Sequence, residues 1–217
     1  MDQQASQAKR VSTSGTSSNR ASTAKRSSTN VPKAPTSLDP NAIIANHAVL
    51  TGIHTISVAA GTVIHPHARI ISTYSAVDIG PGCIVSEKAV IGLSDLSQDD
   101  PEGDLELPEI IKIGQNVNIE SGTIVEAAEI GENTLIDVDV KLGAGSVIGK
   151  NCTISACSVV PPGETVPDYT VIYGNNQRRL NKSLQSTPVI LDIKSKGHEK
   201  QLNVLQRLVP SNLAKWQ

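Results

Sequence analysis

The chain has 217 residues and a net charge of −2, which allows one sizeable domain with tails and argues against a nucleic-acid binder. No apolar run approaches the roughly 20 residues that span a bilayer, and no apolar signal core follows Met1. Three scattered cysteines, Cys83, Cys152 and Cys157, exclude a disulfide framework or a paired-cysteine zinc knuckle and read as reduced thiols.

Residues 1–40 are expected to form a disordered basic tail. Through residue 37 the segment carries Lys9, Arg10, Arg20, Lys25, Arg26 and Lys33 against the single acid Asp2. Val11 and Val31 are almost its only large apolar residues, too few to offset the entropy of ordering it. A transit peptide would need an apolar helical face, which is missing. The many Ser and Thr hydroxyls are open to phosphorylation.

Residues 41–180 are periodic. From Ile130, steps of six reach Ile136, Leu142, Ile148, Ile154, Val160, Val166 and Ile172. Upstream the same step gives Ile113, Ile119 and Val125, then Ile79, Val85 and Ile91, then Val58, Ile64 and Ile70, and first Ile44 and Leu50. The step slips to five between Val125 and Ile130 and to eight between Leu50 and Val58. Three residues after these aliphatics Gly, Asn or Asp recurs (Gly82, Asn116, Gly122, Asn133, Asp139, Gly145, Asn151, Gly163), types that tolerate positive φ. Four residues after, a small side chain recurs, as at Ala68, Cys83, Thr134 and Cys152. Pro81-Gly82 and Pro162-Gly163 read as type II turns.

A strand that turns a corner every six residues makes a coil, three hexads to a turn. Stacked turns pair their strands in parallel at about 4.8 Å, with one column of aliphatics inside. A helix would require a period of 3.6 and an ordinary strand a period of two, so the pattern predicts a parallel β-helix. With no Phe, one Trp and three Tyr, its core is a lattice of Ile, Val and Leu. The coil resembles the hexapeptide-repeat solenoids, which implies a left-handed winding against the usual crossover preference.

Two insertions interrupt the coil, 72–77 and 93–110. The second carries seven acids and no base, and reads equally as a solvated loop or as a docking element for a basic partner. Residues 181–217 form a C-terminal extension. Within 198–209, Leu202, Leu205, Leu208 and Val209 have helical spacing, and Pro210 breaks the pattern before Leu213 and Trp216. Such a helix is expected to pack along a flank of the coil or to cover its open end.

Two enzyme classes with hexapeptide coils can be compared residue by residue. The gamma-class carbonic anhydrases hold zinc with three histidines, two of them five residues apart. Here the histidines are His47, His54, His65, His67 and His198, no two of them at that spacing, so zinc hydration lacks its ligands. The acyltransferases need a histidine general base. His54 and His65 are the candidates; neither has a carboxylate close in sequence to orient it, though an adjacent turn could supply one, and an acyltransferase is the second reading. The pair His65-Pro66-His67 looks like a metal motif. In the hexad frame, however, His67 falls at a corner, and His47 occupies the equivalent corner one turn earlier, so the two imidazoles are placed to stack. His47, His65 and His67 together suit only weak adventitious metal binding.

The run Thr62-Val63-Ile64-His65-Pro66 with Ala68-Arg69-Ile70-Ile71 carries a more specific resemblance. So do the run Thr170-Val171-Ile172-Tyr173-Gly174 followed by Arg178-Arg179 and the Leu-rich helix ending Leu208-Val209-Pro210. In that order, over about 42–216, they resemble the dynactin subunit 6 family, small left-handed β-helix subunits of the dynactin pointed-end complex. The resemblance implies a non-enzymatic adaptor in the cytoplasm and cytoskeleton, without cofactor or metal, supporting dynein-driven microtubule transport and cargo binding. Its implied partners are the sister β-helix subunit, an actin-related protein and a zinc-binding subunit, with no nucleic acid and no membrane insertion. Arg69, Asp99, Asp100, Glu102, Arg178 and Arg179 are the candidate contact residues. The tail before about residue 38 departs from the family pattern, and nothing is carried over to it.

Overall fold

The structure, a computed structural model, describes residues 33–93 and 108–216. Its body is a parallel β-helix of about six turns, walled by three sheets of seven, eight and six strands. The hexads stack in register. Leu38, Val58, Ile79, Ile113, Ile130, Ile148 and Val166 align up the first wall. Ile44, Ile64, Val85, Ile119, Ile136, Ile154 and Ile172 align up the second. Leu50, Ile70, Ile91, Val125, Leu142 and Val160 align up the third. Apart from the partly exposed Leu38, all of these side chains are buried. Each contributes roughly 1.5–3 kcal/mol of burial before entropy is counted.

The corners follow the residue types read from the sequence. Every Gly, Asn or Asp singled out three residues after an aliphatic has positive φ. So do His47, His67, Lys88, Cys157 and Tyr169, which hold the same frame position without being turn formers by type. The small residues at the next position are buried, and some bond the adjacent turn: Thr134 Oγ1 donates to the carbonyl of Gly149 at 2.9 Å, and Thr62 Oγ1 to that of Gly80 at 2.8 Å.

The coil starts earlier than the boundary at residue 41. Strand Thr36–Leu38 lies within the segment expected as tail and pairs with Ile56–Val58, and Ala34 is buried. The physical reason is that Leu38 stands one hexad before Ile44 and continues the same column. The eight-residue step is absorbed at a single corner, where the backbone amides of Ile53 and His54 both donate to the carbonyl of Ser72. The two insertions leave at this same corner on the next two turns, so all three irregularities share one edge of the prism. Both are shorter than 72–77 and 93–110: Ser72 closes strand Arg69–Ser72, Ala76 and Val77 open strand Ala76–Ile79, and Ile110 opens strand Ile110–Ile113, because each extends the pairing with the adjacent turn.

At the far end the chain reverses. Thr170–Tyr173 pairs antiparallel with Gln177–Leu180, covering the last parallel edge of the second wall. Helix α1 (Lys182–Ser186) follows, its N-terminus capped by Asn181 Oδ1 accepting from the Leu184 amide at 3.1 Å. Helix α2 (Pro188–Leu208) then runs back along the coil. Lys194, His198 and Gln206 contact the carbonyls of Asn133, Gly82 and Gly61 in turn, which fixes its antiparallel course. Leu202 is buried against Val63 and Ile84, with Ile43, Leu205 and Val209 beside them.

The helix begins ten residues before the 198–209 stretch read from leucine spacing. Proline at its first position is compatible with that start. Its first half sends Val189, Ile190 and Ile193 outward, so no coil-facing stripe marks it. After α2 the chain turns under the first turn of the coil. The Asn212 amide donates to the Ile44 carbonyl at 2.7 Å, Ser211 bridges Ala45, and Trp216, 7% exposed, joins the core. Thr36 Oγ1 donates to the Trp216 carbonyl at 2.8 Å. The extension therefore both flanks the coil and plugs its open end.

Candidate functional site

The histidines that suggested a metal motif lie at consecutive corners. The rings of His47 and His67 stack with centroids 5.3 Å apart and planes 9° from parallel. Their in-plane lone pairs then point side by side. Both cannot meet one zinc ion at about 2.0–2.1 Å. Among the described residues no group of three His, Cys, Asp or Glu is placed to hold a metal.

His65 is the better-placed base. It occupies the same wall position as Ser86 and Glu120 on the following turns, and Ser86 Oγ donates to Glu120 Oε2 at 3.3 Å. Burial pulls the His65 pKa down, opposed by the charges of Glu87 and Glu120. Its Nε2 is buried without a partner among the described residues, so none of them orients the ring through that nitrogen. His54 sits exposed on the irregular corner. The thiols offer no nucleophile in the core: burial pushes Cys83 up to about 12 and raises Cys152 as well.

Among the described candidate contact residues, Arg69 does not converge with Arg178 and Arg179. Arg69 is exposed on strand Arg69–Ser72 of the third wall. Arg178 and Arg179 lie on the terminal hairpin of the second wall, at the other end of the coil. Arg178 is held by a two-pronged ion pair with Glu164, one arm at 2.8 Å. The Arg179 guanidinium lies 5.9 Å from the Tyr173 ring centre. Asp99, Asp100 and Glu102 lie outside the described residues.

A concave feature that sequence reading missed lies between α2 and the corner of the first and second walls. Here Asn116, Asn133 and Asn151 stack on three consecutive turns, all at positive φ, and Asn116 Nδ2 donates to Asn133 Oδ1 at 3.3 Å. With Lys194 and His198 of the helix they line a cavity of about 650 Å³. Lys194 Nζ donates to the Asn133 carbonyl at 2.6 Å, and burial lowers its pKa. The only trace in the sequence was asparagine at the corner position, which turn chemistry alone explains. Among the described residues no helix is long and apolar enough to cross a membrane.

Comparison with known proteins separates the coil from the whole chain. The family described as "Bacterial transferase hexapeptide (six repeats)" matches residues 127–162, within the coil, consistent with a left-handed β-helix of hexapeptide repeats. "Dynactin subunit 6" of Xenopus tropicalis is 29% identical over 172 residues, covering 79% of this chain and 80% of that protein. "Dynactin subunit 6" of Danio rerio is 30% identical over 156 residues, 72% of this chain and 75% of that protein. Among solved structures, a hexapeptide transferase family protein from Anaplasma phagocytophilum matches with a TM-score of 0.54 at 13% identity, over 82% of this chain and 98% of that one. At that identity the likeness extends to the fold alone.

Proposed function

The chain belongs to the dynactin subunit 6 family, and from that premise we propose that it is a non-enzymatic assembly subunit of dynactin. It would act in the cytoplasm, at the cytoskeleton, within the complex that serves dynein-driven transport along microtubules and binds cargo. Its neighbours would be the sister β-helix subunit, the actin-related protein and the zinc-binding subunit of the pointed end. The observation that carries this reading is the extent of the likeness: it spans 79% of the chain, whereas the transferase description covers only residues 127–162 of the coil. The form suits the task. A rigid rod with straight walls, its first turn plugged by its own C-terminus, offers lateral faces for docking. Arg69, Arg178, Arg179 and the acids Asp99, Asp100 and Glu102 are proposed contacts.

A tagged full-length chain expressed in cells of its own source should recover dynactin components and migrate in a megadalton assembly. Recovery of a self-contained trimer would overturn the proposal. An acyltransferase would need His54 or His65 as its base, and His65, half-buried beside Ser86 and Glu120, is the residue that favours that second reading. Turnover of an acyl-CoA by the purified chain, lost on His65→Gln, would establish it.

A further inference from the structure

We propose that the cleft between α2 and the asparagine corner is a binding site for a carboxylate-bearing ligand, with Lys194 as its charge partner and the Asn151 amide orienting it. The charges of the cleft carry the inference. Glu132 is paired with Lys150 at 3.3 Å and accepts from Gln115 Nε2 at 2.9 Å. Asp192 is paired with Lys196 at 2.8 Å. Lys194 has no carboxylate within ion-pair distance among the described residues. Its half-buried ammonium carries three donors and spends one on the Asn133 carbonyl. A desolvated cation without a counter-ion is costly, and an apolar side chain would cover the coil at less expense.

Unpartnered amides supply the second observation. Asn151 is 7% exposed, and its Oδ1 has no hydrogen-bond partner among the described residues. Asn118, which lines the same cavity, also leaves its Oδ1 buried and unpartnered among the described residues. Buried side-chain polar atoms normally find partners. Half a turn about the last side-chain bond of Asn151 exchanges oxygen for nitrogen, so its amide can meet a ligand as acceptor or donor, whereas Asn118 Nδ2 donates to Glu120 Oε1 at 2.8 Å and fixes its Oδ1 as an acceptor. A cavity of about 650 Å³ falls in the range of small-ligand sites. Leu135 and Leu191 give it an apolar edge. The ligand is therefore an anion whose body carries amide or hydroxyl groups. The carboxylate is either the side chain of an acidic residue in a peptide or a free organic acid.

The test is an NMR titration of the isotopically labelled full-length chain with N-acetylglutamate methylamide, its glutamine counterpart and citrate. The expected result is saturable movement of the Leu135, Asn151 and Leu191 signals by a carboxylate probe, with the glutamine compound weaker by about 10-fold or more. Response to the capped glutamate alone identifies a peptide source; response to citrate alone identifies a free acid. Lys194→Gln keeps a donor for the Asn133 carbonyl, and Asn151→Gly keeps the left-handed backbone. Each should weaken binding about 10-fold. The comparison of charged and neutral probes on the unaltered chain stands even if a variant fails to fold. No saturable shift with either carboxylate probe up to roughly 50 mM, or equal binding by the glutamate and glutamine compounds, overturns the proposal. That failure would leave the assembly role standing, because recovery with dynactin is measured separately from binding of these probes.

Discussion

Replacing Trp216 by alanine tests whether the C-terminal segment closes the coil. The indole is 7% exposed and packs in the main core cluster with Leu38 and Leu213 alongside. A buried Trp removes about 200 Å² from water, which at roughly 25 cal/mol per Å² is about 5 kcal/mol. A partly collapsed unfolded chain reduces that to about 3–4 kcal/mol, in line with the roughly 3–5 kcal/mol observed for Trp→Ala in cores. Against a total stability of about 5–15 kcal/mol, the loss is large. The contact from Thr36 runs to the backbone carbonyl of Trp216 and would survive the change. The Trp216 Nε1 is buried without a partner, so Trp216→Phe removes an orphan donor along with the ring volume and should cost only about 1 kcal/mol. Urea unfolding followed by far-UV circular dichroism measures both variants. The single Trp reports on the unaltered chain, with emission that shifts to longer wavelength as the coil opens. A loss below about 1 kcal/mol for Trp216→Ala, together with emission unchanged on unfolding, would refute the plug.

Gly92, where the acidic insertion departs, has φ near 100°, and an added Cβ would stand 1.9 Å from the carbonyl oxygen of Ile71. Gly92→Ala should cost about 3 kcal/mol or more in thermal unfolding, whereas Gly163→Ala, with φ of 68° and open space around it, should cost only about 1–2 kcal/mol. Equal losses would mean that the clash is relieved by movement of the corner. His65 makes stability depend on pH. Burial sets its folded pKa below the ordinary 6.5 despite Glu87 and Glu120, so the unfolded chain binds more protons below that pH. The contribution is complete above 6.5 and is lost as pH falls towards the folded pKa. Urea midpoints between about pH 7.5 and about pH 5.5 should therefore decline less in His65→Gln than in the unaltered chain, and parallel curves would remove His65 as the cause.

The coil was legible because its constraint is local and repeats: one aliphatic in six, then a residue that accepts positive φ, then a small one. That frame alone places the His47–His67 stack, and it turns an apparent metal motif into a corner. It fell short where composition hid the period. Leu38 stands one hexad before Ile44, yet the Ser- and Thr-rich surroundings of the tail concealed it. It fell short again where an element is held from outside: the first half of α2 has no coil-facing stripe, since Lys194 touches the coil through a polar bond to Asn133 and Val189 and Ile193 face outward.

The asparagine corner shows why the cleft was invisible. Positive φ at Asn116, Asn133 and Asn151 is a demand of the backbone, and glycine would satisfy it as well. The backbone reason accounts for the residue type completely, so the sequence carries no residual signal for what the side chain does. Only the return of the chain along the coil, 61 residues after Asn133, sets an ammonium against those amides and gives them a second task. Substitution separates the two tasks: glycine at 151 keeps the turn and deletes the amide, while alanine keeps neither the amide nor an unstrained backbone. If carboxylate binding falls with both variants but stability falls only with alanine, by about 1 kcal/mol, the corner and the cleft are independent functions of one residue. If glycine also destabilises the coil by a similar amount, the Asn151 amide is a structural member of the corner, and the orphan oxygen has a partner within the protein.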